Sequence, residues 1–280
     1  MGVDLHIHST ASDGQLTPEE VVRLAVKKRL RVIAITDHDS IDGIEPALVA
    51  AKPFPSLKVI PGLELNTDIP RGEVHIMGYF IDYRNTELKR TLEALRHSRE
   101  ARARKMIANL GELGIEVEWQ RVQELARGGS VGRPHIAQAM FERGYIPSIQ
   151  EAFIKYLGRQ GPAYAARERL SPEEAVKLVV KAGGLPVLAH PADIDDIDEL
   201  LIQLKEAGLV GLEAYYNGYS RKTIDRLVEL ANKHELITSG GSDFHGLGGK
   251  ETPIGGANVP SDCAERLIPL AEQREKVVTQ

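Results

Sequence analysis

Short apolar runs alternate with amphipathic segments in two blocks of the chain, and this alternation predicts strands separated by helices. The predicted strands cover residues 3–8, 31–36, 57–65, 74–80, 185–189, 209–214 and 236–239. The predicted helices between them cover residues 18–29, 43–51, 197–207 and 221–233, with another helix after Ser171. Seven strands in this order favour a parallel α/β barrel, and a doubly wound open sheet is the alternative.

The segment between the two blocks has helical periodicity throughout, with Gly and Pro at the breaks. The helices predicted there cover residues 87–113, 120–126, 134–143 and 149–157. We therefore predict a barrel domain formed by residues 1–82 and 164–280, interrupted by a helical domain formed by residues 83–163.

Composition narrows the class of protein. The 42% hydrophobic and 27% charged residues are typical of globular domains, and no apolar run approaches the roughly 20 residues that cross a bilayer. The N-terminus has no signal-peptide pattern, so we expect a cytoplasmic protein without membrane contact. Cys263 is the single cysteine, which excludes an internal disulfide and a multi-cysteine zinc site.

The net charge of −5 argues against a broad duplex-DNA-binding face, yet it leaves room for a small anionic substrate in a local positive pocket. Whether protein partners exist cannot be read from the sequence.

Candidate chemistry begins with His6 and His8. Two residues apart on a predicted strand, their imidazoles point to the same side, while Leu5 and Ile7 point to the other. Further His, Asp and Glu residues fall at or near the predicted C-terminal ends of other strands, where barrel enzymes assemble their active sites. These residues are Asp13, His38, Glu64, His75, His190, Asp243 and His245.

Together these nine residues predict a metal centre rather than scattered surface groups. Imidazole and carboxylate ligands without thiolate suit Mn²⁺, Fe²⁺ or Zn²⁺ better than Ca²⁺. Nine ligands are too many for one ion and sufficient for two or three, with a carboxylate such as Glu64 able to bridge.

The motifs that contain these residues resemble the PHP family, named for polymerase and histidinol phosphatase domains. The motifs are HIHS-x3-DG from His6, TDHD from Thr36, GLE ending at Glu64, ExH from Glu73 to His75, AHP from Ala189 and GSDFH from Gly241. The resemblance implies a distorted seven-stranded, TIM-like (β/α)7 barrel and three divalent ions per chain, with Mn²⁺ favoured and Fe²⁺ or Zn²⁺ as alternatives.

The resemblance also implies which residues share an ion. The three implied groups are His6, His8, Glu64 and Asp243; Glu64, His75 and His190; and Asp13, His38 and His245.

Within the family, the helical insertion and the segment from Val131 to Ala137 resemble a subgroup of nucleotide phosphatases. That subgroup acts on nucleoside 3′,5′-bisphosphates and includes RNase AM enzymes, which trim short RNA from the 5′ end. The resemblance implies that the insertion caps the barrel, and that the substrate is a small phosphorylated nucleotide, AMP included, or a short 5′-phosphorylated RNA end rather than duplex DNA.

The insertion carries basic residues suited to phosphate. Arg96, Arg99 and Arg102 recur at a spacing of three on one helix face, and Arg133 stands at a helix entrance between Gly132 and Pro134. His135 either donates to a phosphate or caps its helix. The predicted substrate-binding residues are Arg99, Arg102, Arg133 and His135, together with Asp13, His38 and His245. A solvated helix face is the alternative for the arginines.

The hypothesis for the mechanism is direct phosphoester hydrolysis by a metal-activated hydroxide. Asp13, His38 and His245 are the predicted catalytic residues, which position the phosphate or protonate the leaving oxygen. On the sixth strand, Glu213 and Tyr215 are interpreted as interior filling, while the segment from Tyr215 to Asn217 is a candidate wall for a base.

Three rival functions remain at this point. They are a histidinol phosphatase, a metal-stabilised PHP binding module without activity, and an amidohydrolase. The last would need a lysine as bridging ligand, and the strand that carries Glu64 offers only Lys58, at its opposite end.

Overall fold

A computed structural model describes residues 2–69, 72–126, 129, 131–166, 170–249 and 251–278. The chain divides into two compact units. The barrel unit consists of Met1–Lys89 and Arg169–Gln280, and the helical unit consists of Arg90–Glu168.

Over the described residues, the barrel unit contains one seven-stranded sheet in which the strands lie side by side in chain order. The strands are β1 (Gly2–Asp4), β2 (Leu30–Ile35), β3 (Lys58–Ile69), β4 (Gly72–Tyr79), β5 (Leu185–Leu188), β6 (Gly211–Tyr216) and β7 (Ile237–Gly241). The chain after β1 reaches β7 through hydrogen bonds from Leu5 N to Gly240 O (3.1 Å) and from His8 N to Phe244 O (2.9 Å). The sheet is therefore a nearly closed barrel, which confirms the predicted seven-stranded α/β fold.

The prediction of an all-parallel barrel is wrong at one strand. β4 is antiparallel to both β3 and β5, while the other neighbouring pairs are parallel. β3 and β4 pair from Gly62 with Tyr79 to Ile69 with Gly72, as an antiparallel hairpin requires. β3 consequently continues to Ile69, so Glu64 lies within the strand and not at its end.

The reversal of β4 also changes the position of His75. This residue lies in the first half of its strand, not near its C-terminal end, and pairs with Asn66 of β3. Because β4 runs the opposite way, its first half lies at the same edge of the barrel as the C-terminal ends of the parallel strands.

Ten α-helices are described. They are α1 (Pro18–Lys27), α2 (Ile44–Ala51), α3 (Thr86–Glu112), α4 (Trp119–Ala126), α5 (Arg133–Glu142), α6 (Ile149–Ala152), α7 (Pro172–Lys181), α8 (Ile197–Ala207), α9 (Arg221–Lys233) and α10 (Ser261–Val278). Thr17 and Ser171 cap α1 and α7, each in a reciprocal capping box with the glutamate three residues later. α10 was not predicted, because Pro269 interrupts the helical signal.

Two of the apolar clusters formed by described residues support the barrel. One packs α1 and α2 against residues such as Ile33 and Ile35 of β2. The other includes Cys263, Ala264 and Leu267 of α10. The helical unit has a separate core, which includes the fully buried Met106, Leu110, Val122, Ile136 and Met140.

No helix within the described part of the chain is both long enough and apolar enough to span a membrane.

Candidate metal centre

His6 and His8 lie beyond the end of β1, which stops at Asp4 rather than at the predicted residue 8. The chain continues extended, and Ile7 forms a single parallel bridge with Phe244. Both imidazoles are fully buried, with ring centroids 5.1 Å apart. They share one side of the chain, as the spacing of two predicts.

Glu64 lies at the centre of the imidazoles. Its Oε2 is 3.3 Å from His6 Nε2, 3.3 Å from His8 Nε2 and 2.9 Å from His38 Nδ1. Its Oε1 is 2.9 Å from His75 Nδ1 and 3.2 Å from His190 Nε2. One buried carboxylate therefore contacts side chains from five separate positions along the chain.

The charge of Glu64 is stabilised by its neighbours. Burial opposes ionisation, but His38, His6 and His75 outweigh it and hold the pKa of Glu64 well below its ordinary value. The carboxylate is thus ionised at neutral pH and available to cations.

A second acidic position is Asp13, in the loop before α1. Its carboxylate is 3.8 Å from His8 Nδ1, 3.9 Å from His38 Nε2 and 3.4 Å from His245 Nε2. Despite burial, His38 and His245 keep the pKa of Asp13 well below its ordinary value. In return, Asp13 and then Asp243 overcome the effect of burial and raise the pKa of His245 to about 10.

Asp243 follows β7 with a backbone φ of 52°, a conformation that non-glycine residues seldom adopt. Its Oδ1 is 3.3 Å from His6 Nε2 and 3.0 Å from His8 Nε2. Its Oδ2 accepts a 2.7 Å hydrogen bond from the Tyr216 hydroxyl. Asp243 therefore directs one oxygen towards the two imidazoles and the other towards the Tyr216 hydroxyl.

Three sets of these residues have ligand atoms within 4.8 Å of one another, the spacing that a metal ion needs. The sets are His8, Asp13, His38 and His245; His6, His8 and Glu64; and His38, Glu64 and His75. With the contacts of Asp243 and His190 described above, the structure brings together all nine residues predicted to bind metal.

The donor set fits divalent cations. Among the described residues, the buried His6 Nε2, His8 Nδ1 and His75 Nε2 have no hydrogen-bond partner. Such lone pairs are costly to bury unless a cation accepts them. Burial, followed by the charges of His245 and His38, lowers the pKa of His8 to about 4, so this imidazole is neutral and able to bind metal at pH 7.

The predictions from sequence also missed buried carboxylates behind these nine residues, three of which are Asp4, Asp37 and Glu213. Asp4 accepts hydrogen bonds from the backbone N and Oγ of Ser242. Asp37 accepts from the backbone N and Oγ of Ser9 and from Ser12 Oγ.

The third is Glu213, which was interpreted as interior filling and instead contacts His6 Nδ1 at 3.1 Å. The available signal was an acid inside an apolar strand run, which is costly unless it is hydrogen-bonded.

The segment from Tyr215 to Asn217 does not form one wall. Tyr216 contacts Asp243, and its ring lies tilted against that of His190, with ring centroids 5.3 Å apart. Tyr215 packs instead against the apolar cluster that contains α10, and Asn217 accepts a hydrogen bond from Thr252.

The predicted substrate-binding residues of the insertion lie in the helical unit. Arg102 Nε donates to Ala165 O (2.9 Å), so this arginine has a contact within its own unit. The Arg133 guanidinium lies over the Phe153 ring, 5.7 Å from its centroid. His135 Nδ1 accepts from Gly132 N (3.0 Å), which caps α5, one of the two roles predicted for it.

Arg99 lies beside the same helix start. Its Nη1 would be 3.8 Å from a Cβ added at Gly132. Arg99, Arg133 and His135 therefore lie together at the start of α5.

Lys58 begins β3 as an exposed residue and lies over the Phe80 ring, 5.9 Å from its centroid, so it supplies no bridging ligand. Cys263 is buried, and burial raises the pKa of its thiol to about 12, which makes it a poor nucleophile.

Comparison with known proteins gives this arrangement a context. Residues 4–237 match the sequence model of the PHP domain. The chain is 34% identical over 261 residues to a 3′,5′-nucleoside bisphosphate phosphatase from Chromobacterium violaceum, which covers 89% of this chain and 90% of that protein. It is 34% identical over 247 residues to the 5′-3′ exoribonuclease Rnm from Salmonella typhimurium, covering 86% and 84% of the two chains.

Solved structures agree with the barrel. A protein from Bifidobacterium adolescentis described as a metal-dependent phosphoesterase superposes with a TM-score of 0.87 at 28% identity, covering 96% of both chains. A Chromobacterium violaceum protein described as an amidohydrolase, with bound sulfate, superposes with a TM-score of 0.81 at 33% identity, covering 88% of both chains. Because the PHP model spans most of the sequence and the phosphatase relative matches along 89% of it, this chain belongs to the PHP domain family.

Proposed function

We propose that this chain is a metal-dependent phosphoesterase that hydrolyses phosphate esters of small nucleotides. The preferred substrates are nucleoside 3′,5′-bisphosphates, with AMP and short 5′-phosphorylated RNA ends as further substrates. The convergence of five imidazoles on the buried Glu64 carboxylate carries the proposal, because it creates a concentrated set of metal ligands. The relatives named above act on nucleoside bisphosphates and on RNA ends, and this supports the choice of substrate.

The nine ligands support three divalent ions, with Mn²⁺ favoured and Fe²⁺ or Zn²⁺ as alternatives. His6, His8, Glu64 and Asp243 would hold one ion, Glu64, His75 and His190 a second, and Asp13, His38 and His245 a third. Bound there, such ions supply an activated water and neutralise charge on the attacking and leaving oxygens.

The residues proposed to hold the third ion are also proposed to contact the substrate. Asp13, His38 and His245 are the only partly buried members of their set, whereas His8 beside them is fully buried. They are therefore the members that a phosphate can reach. They would position the phosphate or protonate the leaving ribose oxygen.

Arg99, Arg102, Arg133 and His135 are proposed to bind the second phosphate of a bisphosphate. Guanidinium groups match phosphate oxygens in a bidentate manner. This would explain a preference for bisphosphates over monophosphates and for short substrates over duplex DNA.

The test is a phosphate-release panel with Mn²⁺-loaded protein. The panel contains a nucleoside 3′,5′-bisphosphate, AMP, a short 5′-phosphorylated RNA and histidinol phosphate. We expect the bisphosphate to be the best substrate. Release from none of the nucleotides would overturn the proposal, and turnover of histidinol phosphate alone would identify the rival phosphatase.

A pair of variants tests the second-phosphate site. Arg133→Ala should raise KM for the bisphosphate and leave KM for AMP nearly unchanged. Arg121→Ala is the matched control in the same unit, because Arg121 pairs with Glu124 and Glu142 on the surface. Equal effects of Arg133→Ala on both substrates would contradict the assignment of Arg133.

A further inference from the structure

β6 differs from the other barrel strands in that neither it nor the segment directly after it supplies a predicted metal ligand. It also contains a bulge. Glu213 pairs with Ser239 of β7, and the next paired residue is Tyr215, opposite Gly240, so that Ala214 is the extra residue.

The bulge changes which side chains point inwards. In a regular strand, residues three apart point to opposite faces. Here, Glu213 and Tyr216 both contact residues of the metal centre, His6 and Asp243 respectively. The strand without ligands thus presents two polar side chains to the ligands of its neighbours.

The Glu213 carboxylate is fully buried and contacts two of those ligands at once. Its Oε1 is 3.1 Å from His6 Nδ1. Its Oε2 accepts a 2.9 Å hydrogen bond from the backbone N of His190. A buried carboxylate requires such donors, and both of these come from residues that also contact Glu64.

The contact with His190 holds an unusual backbone. His190 has φ 28° and ψ 58°, although it precedes Pro191, and a residue before proline strongly favours an extended conformation. A conformation of this kind persists only where surrounding contacts hold it. The hydrogen bond to Glu213 is such a contact, and it directs the His190 imidazole to within 3.2 Å of Glu64 Oε1.

The contact with His6 determines which ring nitrogen carries the proton. A carboxylate can only accept, so a neutral His6 must place its proton on Nδ1. Nε2 then has a lone pair, and it lies 3.3 Å from both Glu64 Oε2 and Asp243 Oδ1. Carboxylate partners of this kind orient metal-bound histidines in other proteins.

We propose that Glu213 is a positioning residue that fixes the His6 tautomer and the His190 backbone through one buried carboxylate. This inference rests on the proposed metal-dependent function, since both imidazoles are ligands in that proposal. Glu213 itself binds neither metal nor substrate.

Glu213→Gln tests this assignment because glutamine has one acceptor atom where glutamate has two. The backbone N–H of His190 can only donate, so the amide oxygen must face it. The amide NH₂ then replaces Oε1, the closer of the two oxygens that face His6 Nδ1 (3.1 Å, against 3.3 Å for Oε2), and favours the proton of His6 on Nε2. The substitution should therefore reverse the tautomer of His6 with little change in volume.

The first measurement is ¹⁵N NMR of the histidine rings in the metal-free full-length protein, at a pH at which the His6 ring is neutral and with no cation on Nε2. We expect His6 of the wild type to carry its proton on Nδ1. His6 of Glu213→Gln should carry it on Nε2. Asp37→Asn is the matched control, because Asp37 is an equally buried carboxylate that binds serines and touches no imidazole. It should leave the His6 tautomer unchanged.

The second measurement is titration of Zn²⁺ into the metal-free proteins. Loss of such a carboxylate partner typically weakens metal binding by about 10- to 100-fold, and we expect a weakening in this range for Glu213→Gln. An unchanged tautomer together with unchanged affinity in Glu213→Gln would overturn the proposal.

The wild-type spectrum is decisive even if Glu213→Gln does not fold, because a His6 proton on Nε2 in the wild type would also overturn the assignment. Neither measurement uses a substrate. Failure of the proposed phosphoesterase function is therefore distinguishable from failure of this inference.

Discussion

The Tyr216 hydroxyl donates a 2.7 Å hydrogen bond to Asp243 Oδ2, while Asp243 Oδ1 lies 3.0 Å from His8 Nε2. One carboxylate is thus held from both sides. Burial, followed by the adjacent Asp243 charge, raises the pKa of Tyr216 above its ordinary value, so the phenol keeps its proton and remains a donor.

Tyr216→Phe removes this donor and should lower the free energy of unfolding by about 1.5–3 kcal/mol, the usual range for a hydrogen bond to a charged group. Urea denaturation measures the change. Tyr215→Phe is the control on the same strand, since the Tyr215 ring packs in the apolar cluster with α10. Equal stability of Tyr216→Phe and the wild type would contradict a structural role for this bond.

The double variant His6→Ala, His8→Ala should lose phosphate release from nucleotides down to background. Both imidazoles are fully buried, and the Nε2 atom of each lies 3.3 Å from Glu64 Oε2, so the double variant removes two of the proposed metal ligands. His97→Ala, on the exposed surface of α3, should retain wild-type activity. Full activity of the double variant with Mn²⁺ would refute the metal centre.

Cation binding should stabilise the folded protein, because the unfolded chain does not hold these ligands together. Mn²⁺ at about 100 times its dissociation constant should add about 2.7 kcal/mol to the free energy of unfolding for each ion bound. Thermal denaturation with and without a chelator measures this effect. A melting temperature that does not respond to Mn²⁺ would exclude such binding, and the His6→Ala, His8→Ala protein should respond weakly.

Cation affinity should rise with pH. Asp13 and Asp243 outweigh burial and raise the pKa of His245 to about 10, so His245 is protonated at neutral pH in the cation-free protein. A histidine must lose that proton to bind metal, so protons compete with the cation below pH 10. For one competing proton, affinity should fall by about tenfold for each unit that pH decreases from 9 to 7.

Calorimetry in buffers of different ionisation enthalpy measures the proton released. His234→Ala provides the control, because His234 pairs with Asp198 through Nε2 at 2.7 Å, among residues outside the metal centre. An affinity that stays constant between pH 7 and 9 would disprove the competition.

Asp4→Asn should destabilise the barrel. Asp4 Oδ1 accepts from Ser242 N at 2.9 Å, and Oδ2 accepts from Ser242 Oγ at 2.7 Å and Gly255 N at 2.6 Å. An asparagine places an NH₂ donor against one of these groups, at an expected cost of about 1–3 kcal/mol in the free energy of unfolding. Asp198→Asn, which removes a surface ion pair with Lys233, should cost less than about 1 kcal/mol.

The sequence predicted the barrel because apolar runs of strand length recur between amphipathic helices. It predicted the candidate metal centre because His, Asp and Glu, the residue types that commonly bind divalent metals, follow those apolar runs. His6 and His8 illustrate this, since their shared side follows from spacing alone even though β1 ends before them.

The sequence could not reveal the direction of β4 or the role of Glu213. The direction of β4 depends on its pairing with β3 and β5. The alternation of side chains between the two faces of a strand has a period of two in either direction, so it does not indicate which way the strand runs. The orientation of Glu213 depends on a bulge, which is a property of two paired strands and not of one. Contacts between residues 207 positions apart, such as His6 with Glu213, have no local sequence signal.

The contact between the chain after β1 and the segment after β7 has a consequence for biosynthesis. Asp4 and Ser242 are 238 residues apart, and Asp243 and His245 come from the same late segment. A nascent chain that lacks this segment has His6 and His8 but neither Asp243 nor the closed barrel around them. Tight cation binding at this centre would therefore begin only after residues Ser242 to His245 have been synthesised and have packed against the chain after β1.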